Sequence, residues 1–150
     1  MNRWFFFLFI FFNVSCLFPS QIFSESTPLI FMKRTPCYGE CPQYEIIIYE
    51  SGLIEYNGIL FVQNIGCFKS KIDYKKIKSL KLLLDRIQFF DLDEAYISKI
   101  TDVPSVITEV SINKKKHRVT DRLNAPKKLK NLYKELDLIV DSVKNWEDCS

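Results

Sequence analysis

The chain has 150 residues, enough for one domain and too few for two. It carries 21 Lys and Arg against 18 Asp and Glu, with five cysteines and one histidine. Beyond residue 24 the balance is 20 against 18, a net +2, which gives no electrostatic basis for dedicated nucleic-acid binding.

Met1-Asn2-Arg3 is a short positive start, and residues 4–12 are an unbroken apolar run. Arg3 is the only charge in the first 24 residues. This is the layout of an export signal, and the apolar run is too short to span a bilayer with ease. Two processing routes are open. Cleavage after Ser24 would remove residues 1–24 and leave Ile22 at position −3. Lipidation of Cys16, after Val14-Ser15, would remove residues 1–15, although Asn13 is polar where a lipobox is aliphatic. An uncleaved anchor is disfavoured because Asn13 and Pro19 interrupt the apolar stretch. The protein is therefore expected to be exported: periplasmic, secreted, or an outer-membrane lipoprotein. It would meet a membrane only through this segment or its lipid.

Either route takes Cys16 out of the thiol pool. Cys37, Cys41, Cys67 and Cys149 are left, an even number suited to an oxidising compartment. Gly39 can turn the chain between Cys37 and Cys41, which favours that bridge, with Cys67 to Cys149 as the second. The plainer alternative leaves Cys67 and Cys149 unpaired.

Residues 25–28 read as a linker and residues 29–32 as a first strand. Pro36 and Pro42 prevent regular structure over 35–42. Residues 44–50 are rich in β-branched and aromatic side chains and read as a strand, turned at Ser51-Gly52 into a return over 53–56. Asn57-Gly58 is a second hairpin signal, or a bulge in one long strand. Residues 59–64 continue as strand, and Gly66 ends it. Asp73 is a candidate N-cap for a helix whose Ile77, Leu80, Leu83, Leu84 and Ile87 recur at helical spacing. Phe89, Phe90 and Leu92 should plug the core. Residues 91–100 read as irregular and 101–104 as a turn. Residues 106–112 alternate as a strand, Asn113-Lys114 turns, and 116–120 return. Pro126 suits the first turn of a second helix, with Asn124 as its cap and Leu129, Leu132, Tyr133, Leu136, Ile139, Val140 and Val143 as its apolar stripe. The pattern predicts a single α+β domain. Its sheet would have five or six antiparallel strands, with two helices on one face and hairpin–helix order appearing twice.

Several short motifs occur in order. Arg34-Thr35, Cys37, Gly39, Cys41-Pro42 and Tyr44 form the first. Gly52, Tyr56 and Gly58 follow, then Tyr96, Thr101-Asp102 and Pro104. Asp121, Ala125-Pro126, Leu129, Leu132 and Trp146 close the set. Over roughly residues 30–146 this resembles the bacterial family known as domain of unknown function 6438. The chain departs from it at Asn124, where glycine is expected, and at Cys67 and Cys149, which lie outside the pattern. The resemblance implies a domain over residues 29–146 and carries no activity or cofactor with it.

Arg34, Tyr38, Tyr44 and Asp102 are the motif residues of functional interest. Cys37 and Cys41 have three residues between them, one more than a thioredoxin-type pair, and no helix pattern follows to lower a thiol pKa. They read as a structural staple, with redox chemistry as the alternative. Metal binding would need two further ligands, with His117 the only histidine and Cys67 not otherwise assigned. His117, among lysines, reads as a solvated strand edge. Asp102 reads as a turn cap or, paired with Arg34, as the acid of an enzyme of unrecognised class. Glu45, Glu50 and Glu55 lie on neighbouring strands and offer an acidic pair. Tyr38, Tyr44, Tyr49, Tyr56 and Tyr96 either fill the sheet or line a groove for sugar or peptide. The reading is an exported binding module, working through the cysteine loop and its tyrosines, with an envelope protein or glycan as partner and no cofactor.

Overall fold

A computed structural model describes residues 27–149 of the protein. The expected export signal and Cys16 lie outside the described residues. Strand β1 (Pro28–Arg34) sits at the middle of the sheet. A meander of β2 (Gln43–Tyr49), β3 (Leu53–Leu60) and β4 (Gly66–Lys71) extends to one side. On the other side β6 (Val106–Ile112) pairs with β1, β7 (Lys115–Arg122) with β6, and β5 (Ala95–Ile97) forms the edge. Strand β8 (Glu147–Asp148) adds to β4 at the opposite edge. Helix α1 (Tyr74–Arg86) and a 3-10 turn (Phe89–Asp91) carry the chain from β4 to the β5 edge. Helix α2 (Lys127–Ser142) brings it back to β8.

The expected sheet of five or six antiparallel strands is corrected on both counts. Among the described residues the sheet has eight strands, and β5 runs parallel to β7. The additional strands lack the alternation that reveals a strand in a sequence. β4 has one large apolar residue in Gly66-Cys67-Phe68-Lys69-Ser70-Lys71, and β5 and β8 are three and two residues long. Asn57-Gly58 does not turn the chain. β3 runs through it with a register shift against β2 just beyond Gly58, and the reversal comes after Leu60. Asn113-Lys114 does turn, with φ of 51° and 65°, the double positive that a two-residue hairpin requires.

Asp73 caps α1, its Oδ1 accepting from the Lys75 amide at 2.8 Å. The α2 cap differs from expectation. Pro126 itself is the extended residue before the helix, and Asn124 instead donates to the Ile97 carbonyl at 3.3 Å. One sheet face and the inner faces of both helices make one core. Ile30, Met32, Ile46, Ile48, Ile54, Val110 and Val119 meet Ile77, Leu80, Leu84, Leu129, Leu132 and Leu136, all buried. Each such side chain contributes roughly 2 kcal/mol, more than a typical surface ion pair, so apolar burial holds the helices to the sheet. Among the described residues no helix is long and apolar enough to cross a membrane.

Candidate functional site

Antiparallel pairing sets Arg34, at the end of β1, opposite Tyr44 near the start of β2. Both point to the helical face, where α2 presents Asp137. Arg34 Nη2 donates to Asp137 Oδ2 at 2.6 Å, and Arg34 Nε donates to the Tyr44 hydroxyl at 2.9 Å. That hydroxyl in turn donates to Asp137 Oδ1 in a short hydrogen bond. The three groups close a ring of charge-assisted bonds, each worth more than a neutral one. Burial opposes the Arg34 charge, but Tyr44 and Asp137 outweigh it and hold the guanidinium above its ordinary pKa. Burial, then the bond to Asp137, pushes the Tyr44 hydroxyl well up.

This network lies in a cleft of about 860 Å³ at one end of the sheet. Phe61, Phe68 and Trp146 supply its aromatic surface, with the buried Tyr44 and Tyr56 rings behind them. Tyr56 stands with its ring centroid 5.6 Å from Tyr44, 5.6 Å from Trp146 and 6.4 Å from Phe68. Residues 61–64 of the β3–β4 connection, Cys41-Pro42 and Pro104-Ser105 wall it, and Asp141 and Lys144 join Asp137 from the helical side. Ser70 Oγ donates to the Asn145 carbonyl at 2.8 Å, which holds the segment bearing Trp146 against β4.

The cysteine loop borders the cleft. Cys37 is bonded to Cys41 and Cys67 to Cys149. Thr35 and Ser105 exchange two hydrogen bonds, at 3.0 and 2.8 Å, which clasp the loop to the turn after β5. Of the motif residues, Arg34 and Tyr44 come together. Tyr38 does not join them, being 92% exposed. Asp102 is exposed and does not line the cleft; its carboxylate accepts from Thr101, and its carbonyl from the Tyr38 amide. The carboxylate that engages Arg34 is Asp137. Glu45, Glu50 and Glu55 form no acidic pair, because each has its own partner in Lys33, Lys81 and Tyr49. His117 is not a solvated edge: it packs on Phe89 and Phe90 and bonds the Leu92 carbonyl through Nε2 at 2.9 Å. Among the described residues no group of three or more His, Cys, Asp or Glu is placed to hold a metal.

Asp137 was not singled out from sequence. It stands four residues after Tyr133 and three before Val140, so it lies on the margin of the apolar stripe of α2, and Asp141 follows one turn later on the same side. A charged row bordering a buried stripe was the available signal.

Tyr133 behaves like Tyr44: burial, then the charge of Asp121, raises its pKa. An ordinary tyrosine titrates near 10. The stabilisation from these raised pKa values is complete below pH ~10. It is lost as pH rises further, since the unfolded chain then releases protons that the folded chain keeps. Each group steepens the loss by up to about 1.4 kcal/mol per pH unit. Urea melts should therefore weaken sharply from pH ~10 to ~11, and Tyr133→Phe should flatten that slope. A constant midpoint across this interval would contradict the assignment.

No curated protein matches this chain. Residues 28–140 match the family model described as Domain of unknown function (DUF6438), and the chain belongs to that family.

Proposed function

We propose that the protein is an exported binding module that holds its ligand in the cleft between the Arg34–Tyr44–Asp137 network and the aromatic surface. The observation that carries this reading is convergence: five aromatic rings and a locked polar network share one concavity of ligand size. Export rests on residues 1–24 and is supported by the two disulfides, which suit an oxidising compartment. Binding in place of catalysis is supported by the state of the polar groups. Arg34 is engaged by Asp137, and Tyr44 keeps its proton, so neither stands ready as a base near neutral pH. The alternative of Asp102 acting with Arg34 lacks geometric support, since Arg34 has Asp137 as its carboxylate. The closed Cys37–Cys41 bridge favours a staple over a redox couple.

Two measurements test this. The intact mass of the protein from its native host should begin at Cys16 with acyl chains or near Glu25, with every thiol of the mature domain protected from alkylation. A full-length mass with free thiols would overturn export. The purified domain, equilibrated with envelope oligosaccharide and peptide fractions, should retain a component that Asp137→Ala does not. That component should be recovered unchanged in mass. Recovery of a cleaved or transferred product would overturn the binding reading in favour of an enzyme.

A further inference from the structure

We infer that the cleft takes a neutral saccharide chain, an inference that rests on the binding role proposed above. The lining charges cancel. Arg34 and Lys144 face Asp137 and Asp141, and the Arg34 charge is already matched by a direct ion pair. An anionic ligand would find no unmatched cluster of cations here, and a cationic one no unmatched carboxylates. A wholly apolar ligand would leave the Gln63 and Asn64 amides without water, a cost of about 1–3 kcal/mol for each group that finds no other partner. A peptide recognised by strand addition needs a free sheet edge beside the cleft. Here β8 pairs with Phe68 and Lys69, so the middle of that edge is already taken.

A neutral sugar meets these conditions together. Its C–H faces are apolar and its edges carry hydroxyls. The exposed Phe61 and the half-buried Trp146, which is backed by the buried Tyr56 ring, supply the apolar surface. The Gln63 and Asn64 amides, with the donor and acceptor capacity that Arg34 and Asp137 keep beyond their mutual bonds, suit the hydroxyls of a sugar. The Arg34–Tyr44–Asp137 ring fixes Arg34 and Asp137 before any ligand arrives, which lowers the ordering cost of binding.

Trp146 is the only tryptophan after residue 24, so its fluorescence reports on the cleft alone once the export segment is gone. The mature domain would be titrated with three probes: neutral hexose and N-acetylhexosamine oligomers, uronic-acid oligomers, and short peptides of mixed sequence. A neutral oligomer should shift the emission saturably, with an affinity that high salt leaves within about two-fold, because no net charge is neutralised. Gln63→Ala with Asn64→Ala, at the rim and away from the core, should weaken it by about ten-fold. Saturable binding of peptide alone, or of the uronic-acid oligomer with steep salt dependence, would overturn the saccharide inference and leave the binding module standing. Silence toward all three probes, with none of the envelope fractions retained, would remove both.

Discussion

Gly58→Ala is expected to destabilise the domain by about 3 kcal/mol or more, near the upper end for overpacking, and to lower its melting temperature by roughly 10 °C. Gly58 is not needed for a turn, since its φ is not positive. It is needed because the chain after β3 folds back over it. A Cβ at this position would lie inside the Asn64 carbonyl and 3.0 Å from Tyr56 Cε1. The first obstacle is backbone, which cannot swing aside as a side-chain tip does. The connection over residues 61–64 would have to lift, and with it one wall of the cleft. Loss of stability and loss of ligand should therefore occur together in this one variant. Urea melts followed by circular dichroism check it; a loss below about 1 kcal/mol would mean that the connection does not pack on β3 as described.

The helices and the central strands were legible because one physical signal dominates each of them. In 106–112 the alternation of Val106, Thr108 and Val110 against Ile107 and Glu109 matches the buried and less buried faces of β6. In α2 the stripe Leu129, Leu132, Tyr133, Leu136 and Ile139 is buried throughout. Where two signals compete, the sequence left the outcome open between a hairpin and a bulge in one long strand, and the bulge is what forms. Asn57-Gly58 has the composition of a hairpin, but close approach of a second chain segment also demands glycine, and that demand won. The site was half legible. Arg34 and Tyr44 stand in one short motif, and antiparallel pairing makes them neighbours. Asp137 comes from 103 residues away, and its position beside Arg34 depends on how α2 lies across the sheet. That crossing is a tertiary fact with no local cause in residues 127–142. Asp102, by contrast, was singled out through a motif whose packing role falls to its neighbours: Thr35 and Ser105 clasp two loops together, and Asp102 contributes a backbone carbonyl.

Removal of the Cys67–Cys149 bridge, by Cys67→Ser with Cys149→Ser, is expected to cost about 4 kcal/mol, the largest loss for any covalent change in the domain. The reason is length. The two cysteines are 82 residues apart in sequence, against four for Cys37 and Cys41. On the loop-entropy account the long closure restrains the unfolded chain by about twice as much as the short one, which is worth about 2 kcal/mol. The long bridge also encloses both helices and β5, β6 and β7, so its loss loosens much of the unfolded chain. In the folded state the effect is local. β8 is held by pairing of Phe68 with Asp148 and Lys69 with Glu147, and by the Cys149 amide donating to the Cys67 carbonyl at 3.2 Å. Two residues of strand do not hold this segment against the entropy of release, about 1–2 kcal/mol per residue, without a covalent tie. Trp146 immediately precedes β8, so freeing β8 loosens the aromatic surface of the cleft as well. The double variant should therefore melt far below the native protein and show more solvent-exposed Trp146 emission even where it remains folded. Cys37→Ser with Cys41→Ser should lose about half as much stability and leave Trp146 emission unchanged. Equal losses for the two pairs would show that loop closure is not what these bridges contribute. An unchanged Trp146 spectrum without the long bridge would show that Ser70 and its bond to Asn145 suffice to hold this wall of the cleft.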